Sequence, residues 1–286
     1  MMGTDERREL VIGIDPARNW HLSLAWAADE AHRRGLELRL VVAVPPSRDR
    51  HHGDDSPGRQ AMLQAGADAL REGADWARAR HPQLRPATDL LDGFPAAVLG
   101  GLSARARMVV LGSRHLSRTA EYFSAGSLVV PVTAQARCPV VVVGDAEHIT
   151  QEPTYLVVGI DGSESSKAAL GLAFEEADLR GAALRAVSVW QPPVVMFQDE
   201  QVAVQAQRRM LYETTAGWSS KYPDVHLTHE VPMGHPVEEL AGASEHALAV
   251  IVGRRGRGGY TGMRLGSVVH GLLHRAHCPV ITVPLV

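Results

Sequence analysis

At 286 residues, with 29 basic and 32 acidic side chains and a formal net charge of −3, the chain has the composition of a globular protein and the length of two ordinary domains. That balance excludes broad electrostatic attraction to nucleic acid or to an anionic membrane, so basic residues matter only where they cluster. The opening stretch Met1 to Glu9 leads into one short apolar run, far short of a signal h-region or a membrane span, and the expectation is a cytoplasmic protein.

The first apolar run, ending Val11-Ile-Gly-Ile-Asp15, reads as a buried strand, and an alanine-rich helix follows it until Gly35 in a C′ position. Leu36–Val44 is a second strand. The insert after it carries His51-His52 and Asp54-Asp55 among Gly, Pro and Ser. Adjacent histidines without helix or strand spacing do not converge on one ion, so this is a polar loop rather than a metal site. A long helix, a third strand, a short helix after Gly93-Phe-Pro95, a fourth strand and a fourth helix come next. The run Pro139-Val-Val-Val-Val143 ends the series.

The series then repeats. Val157-Val-Gly-Ile-Asp161 matches the first strand at an offset of 146, Arg180-Gly181 matches Arg34-Gly35, and Pro192 matches Pro46. Gly234-His-Pro236 matches Gly93-Phe-Pro95 at 141, and Cys278-Pro-Val matches Cys138-Pro-Val at 140. Drift confined to loops over so long a repeat means two copies of one domain, expected over residues 1–147 and 153–286 with a join between Gly144 and Pro153. In the second copy the helix after the first strand spans Ala168 to Leu179 and the second strand Ala183 to Trp190. Alternating strands and helices with near-continuous β-branched runs predict an α/β fold, a parallel doubly wound sheet covered on both faces. Both cysteines open an apolar strand and read as buried thiols of a reducing compartment.

One stretch of the second copy carries chemistry. Leu248-Ala-Val-Ile-Val252 is a short buried strand, Gly253-Arg-Arg-Gly256 follows, nine residues later comes Gly266-Ser267, and Val268-Val-His-Gly-Leu-Leu273 resumes helical spacing. Glycines at a strand-to-helix turn let the backbone approach a ligand, and the free N–H groups of a helix start hold an anion. Arg254, Arg255, Arg257 and Arg264 add positive charge, so a polyphosphate is the natural guest. Doubly wound sheets bind ligands at the carboxyl ends of their strands, where Asp161 and Gly253 both fall.

The Gly-x2-Gly-x9-Gly-Ser pattern after a fourth strand, an Asp ending the first strand, and Cys-Pro-Val before the fifth resemble the universal stress protein family in its tandem form, over essentially the whole chain. The resemblance implies five-stranded domains of order 3-2-1-4-5, adenine nucleotide alpha hydrolase-like, and, in the ATP-binding branch, ATP with magnesium as counterion. It places phosphates at Gly253, Arg255, Gly256, Gly266 and Ser267, the ribose near Asp161, and adenine at the Val189 main chain, with Val252 and Val268 flanking. It also implies pairing of the two fifth strands within the chain, or a homodimer.

The first copy departs from the pattern. It reads Gly112-Ser-Arg-His115, then ten residues, then Gly126-Ser127, so its second glycine is replaced. If that position needs positive φ, a side chain there costs about 1–2 kcal/mol. Arg114, His115 and Arg118 still offer charge to an anion, and Asp15 or Asp161 can instead satisfy free N–H groups at a helix start. Gly258, Gly259 and Gly262 make the second loop pliable. The five tryptophans read as core or interface, with Trp190 at the border of the adenine position. Without Gly-x4-Gly-Lys-Ser/Thr, or Gly-x-Gly-x-x-Gly after a first strand, a P-loop NTPase or a dinucleotide dehydrogenase is excluded. Three functions remain: a nucleotide-binding regulator without efficient turnover, a slow ATPase, and a structural stress protein that binds no nucleotide.

Overall fold

The computed structural model describes residues 8–46, 57–113, 128–144, 148–192, 200–257 and 264–285. The chain divides into two compact units, Met1–Glu147 and His148–Val286.

In the first unit β1 (Glu9–Gly13), β2 (Glu37–Val44), β3 (Ala87–Asp92), β4 (Met108–Ser113) and β5 (Val140–Gly144) lie in the order β3-β2-β1-β4-β5, every neighbouring pair parallel. Right-handed crossovers then put α1 (His21–Arg34) and α2 (Pro57–Arg80) on one face, and α3 (Pro95–Leu102) and α4 (Val129–Gln135) on the other. α1 packs on α2, and α3 on α4. Covered on both faces, the central strands are buried almost residue by residue, which is why the sequence shows β-branched runs instead of alternation.

The second unit repeats the arrangement. β6 (Tyr155–Gly159), β7 (Ala183–Val187), β8 (Leu227–Glu230), β9 (Val250–Gly253) and β10 (Val280–Val283) run β8-β7-β6-β9-β10, again all parallel. Its helices are α5 (Glu164–Arg180), α6 (Glu200–Thr215), α7 (Trp218–Lys221), α8 (Pro236–Ala243) and α9 (Ser267–Arg275). The expected run Ala183 to Trp190 ladders only as far as Val187, after which Trp190 bridges Met233 alone. Cys138 and Cys278 are free and buried, and desolvation pushes the Cys278 thiol up to about 12, so it stays neutral.

Two polar devices recur at the repeat offset. Glu30 and Glu176 are fully buried in the last turns of α1 and α5, held by Arg33 and Arg34 in one unit and by Arg180 in the other. Arg39 on β2 ties β1 to β3 through Glu9 at 2.8 Å and Asp89 at 2.5 Å. Its counterpart Arg185 grips Glu230 of β8 at 2.7 and 2.9 Å and lies over the Tyr155 ring of β6. Removing one partner of a buried pair leaves a charge without compensation, so Arg180→Met is expected to lower unfolding free energy by about 3 kcal/mol in urea melts at neutral pH.

Candidate functional site

The carboxyl ends of β6, β7 and β9 carry the expected residues, and hydrogen bonds draw several of them together. After β6 the chain passes Ile160 into the core, turns through Asp161 and Gly162, and enters α5 with Ser163 as N-cap. Gly162 has φ of 78°, a left-handed value that only glycine adopts at little cost. The Ser163 hydroxyl accepts from the Ser166 amide at 3.2 Å.

Asp161 caps nothing in α5 itself. Its Oδ1 accepts from the Ser163 amide at 2.9 Å and the Ser163 hydroxyl at 2.6 Å, and its Oδ2 accepts from the Arg257 amide at 2.9 Å. Burial opposes its charge, but the donors of Ser163 and Arg257 outweigh burial and hold the carboxyl below its ordinary 3.8.

The glycines of the loop are explained by approach and not by backbone angle. Among the described residues positive φ occurs at Gly35, Gly93, Gly162, Gly181 and Gly217, so Gly256 does not meet the condition under which a side chain at the second motif position would be costly through its backbone angle. A Cβ on Gly253 would stand 2.6 Å from the Ser165 carbonyl carbon, and one on Gly256 would stand 2.5 Å from Asp161 Oδ2. Gly266 is looser, its Cβ position 3.3 Å from the Arg254 carbonyl oxygen that its own amide reaches at 2.9 Å. Ser267 and Val268 then open α9, where their amides have no acceptor within the helix.

Charge collects on the same loop. Arg254 is half-buried, and desolvation first, then the charges of Arg255 and Arg264, push its pKa down. Among the described residues no carboxylate lies within ion-pair distance of Arg255, Arg257 or Arg264. Arg255 instead reaches the Arg264 carbonyl, and the Arg257 guanidinium lies across Gly162.

The two valines divide. Val252 is buried, with its side chain against Gly159, and so belongs to the core. Val189 is half-exposed just past β7, and among the described residues its amide and carbonyl meet no main-chain partner. Ser188 beside it donates to the Ile160 carbonyl at 2.6 Å and accepts from Gln207 of α6 at 2.8 Å. Ser163, Ser165 and Gln207 were missed by sequence reasoning. The Ser163-Glu-Ser-Ser166 run directly after Asp161 was the available signal for the first two.

The first unit builds this corner differently. Pro16 stands where Gly162 would be, and a ring that locks φ near −65° cannot make the left-handed turn. Ala17 replaces the capping Ser163, and α1 starts at His21, three residues later than α5 at the same offset. Asp15 meets the Ala17 amide at 3.0 Å and the Arg18 guanidinium at 2.7 Å. Among the described residues a Cβ on Gly112 would meet the Ser23 side chain, its hydroxyl oxygen at 3.2 Å. Arg114, His115, Arg118, Gly126 and Ser127 lie outside the described residues, as do His51, His52, Asp54, Asp55, Gly258, Gly259 and Gly262. A cavity of about 390 Å³ between α2 and β3, lined by Leu70, Arg71, Arg78 and Leu90 among others, includes none of the expected residues.

Sheet order and crossovers define a doubly wound α/β protein with the glycine loop at its switch point. The model of the Universal stress protein family matches residues 6–144 and 155–284, and the chain belongs to that family, with two tandem domains. It is 33% identical over 288 residues to universal stress protein Rv2005c of Mycobacterium tuberculosis, covering 95% of each chain. It is 31% identical over 298 residues to Rv2623 of the same organism, again over 95% of each. A solved universal stress protein from Archaeoglobus fulgidus matches with a TM-score of 0.75 at 18% identity, covering 98% of this chain and 97% of that one, a likeness of fold. Among the described residues no helix is long and apolar enough to cross a membrane.

Two outcomes follow from the geometry. Gly253→Ala drives a methyl into the main chain of α5 and is expected to cost about 1–3 kcal/mol, whereas Gly112→Ala meets a hydroxyl that can rotate and costs under about 1 kcal/mol, both read from chemical denaturation. Because the Asp161 carboxyl titrates lower folded than unfolded, its contribution is complete above 3.8 and is lost as pH falls through the folded value. Asp161→Asn should flatten the acid limb of the stability curve below about pH 4.

Proposed function

We propose that the second unit binds ATP and that the protein is a nucleotide-dependent regulator of the stress response without efficient turnover. The observation that carries this is the β9–α9 loop, where Arg255, Arg257 and Arg264 have no carboxylate partner among the described residues and the first amides of α9, at Ser267 and Val268, have no acceptor within the helix. Phosphates would lie along Gly253, Arg255, Gly256, Gly266, Ser267 and Val268, with adenine against the open Val189 main chain. Asp161 already accepts from three donors, and among the described residues no group of His, Cys, Asp and Glu gathers for a metal, so in this reading the arginines neutralise the phosphate. Phosphoryl transfer needs a positioned nucleophile as well as charge neutralisation, and the cradle offers only the second. The reading places the protein in the cytoplasm, in keeping with its two free buried thiols.

The first unit, with Pro16 and a shortened α1, is proposed to bind nucleotide far more weakly or not at all. Calorimetry on the full chain should give one ATP per chain, and a stoichiometry of two would overturn the inequality. ATP at 100 times its Kd should stabilise the protein by about 2.7 kcal/mol. Gly256→Val, which sets a side chain on Asp161, should abolish that rise. A melting temperature unmoved by millimolar ATP in the folded wild type would end the nucleotide reading. Steady-state ATP hydrolysis well above that of Gly266→Val at matched purity would make the protein an enzyme instead.

A further inference from the structure

The family resemblance sets Asp161 beside the ribose, yet the structure commits its carboxylate elsewhere. A carboxylate accepts about four hydrogen bonds, and three donors of the protein already occupy this one. Two come from Ser163, whose hydroxyl also caps α5, and the third comes from Arg257, 96 residues away on the glycine loop. Gly256 passes so near Oδ2 that any side chain there would break the contact. The Arg257 guanidinium closes the same junction from outside by lying over Gly162.

We propose that Asp161 is a positioning residue, which straps the β9–α9 loop to the β6–α5 turn through the Arg257 amide and so shapes the phosphate cradle without holding the ribose. The inference rests on the nucleotide reading and deepens it. A loop fixed before the ligand arrives loses less entropy on binding, so the strap acts on affinity through preorganisation. It also gives the second motif glycine a cause. The residue must be glycine because the strap lies against it, and Pro16 and Ala17 deny the first unit both the turn and the cap on which the strap is built.

The test uses the full chain. In ligand-free protein, Asp161→Asn turns one accepting oxygen into a donor and should speed hydrogen exchange at the Arg257 amide roughly tenfold, with the interior amides of α5 unchanged. Gly256→Ala, which crowds the carboxylate without removing it, should do the same, and it serves if the first variant folds poorly. Calorimetry with ATP, 2′-deoxy-ATP and 3′-deoxy-ATP then closes a thermodynamic cycle. Asp161→Asn should weaken all three by a common factor on the order of ten, leaving the deoxy penalties as they are in wild type. Deoxy penalties that vanish in the variant would show direct contact with the ribose and overturn the proposal, as would unchanged exchange at Arg257. Failure of the wild type to bind any nucleotide sinks the functional reading instead, and the exchange comparison alone then decides whether the strap exists.

Discussion

A single carboxylate joins the two turns from which the second unit's cradle is made, and neighbouring features follow from the need to accommodate it. Asp161 can accept from Ser163 only because Gly162 turns left-handed between them, and it can accept from Arg257 only because Gly256 presents no Cβ. Gly253 answers a parallel demand one step earlier, where the first turn of α5 presses on the end of β9. Three glycines thus have three distinct causes, a backbone angle at one and a close neighbour at each of the others.

The same constraint accounts for the different construction of this corner in the two units. A proline at position 16 removes the left-handed turn, an alanine at 17 removes the cap, and the chain responds by starting its helix three residues later. At 1.5 Å of rise per residue, those three residues move the free amides of the helix start by about 4.5 Å. Asp15 keeps the sequence position of Asp161 but spends its charge locally on Arg18. The sheet, the buried glutamates and the central arginines tolerate none of this drift, because they are fixed by burial and not by the loops.

Much of the fold was legible because a parallel sheet covered on both faces writes itself as apolar runs, and because the repeat wrote it twice. The strand order came with the family resemblance and not from periodicity. At the site, the spacing of Gly253, Gly256 and Gly266 singled out the turn between β9 and α9, while the reason for each glycine did not show, since close approach between Gly256 and Asp161 joins residues far apart in sequence. Val252 sits beside the motif in sequence, and its side chain is buried against Gly159 in a sheet covered on both faces. Gln207 carried no local signal at all, because only the packing of α6 brings it to Ser188.

The charge on the loop carries the argument one step further. Arg254 titrates below its ordinary value because burial desolvates it, with the nearby charges of Arg255 and Arg264 adding to the effect. On the nucleotide reading proposed above, a polyanion seated on this loop would meet that charge. Linkage then requires that whatever binds there also stabilises the fold, which makes the stability of this unit itself a reporter of its ligand.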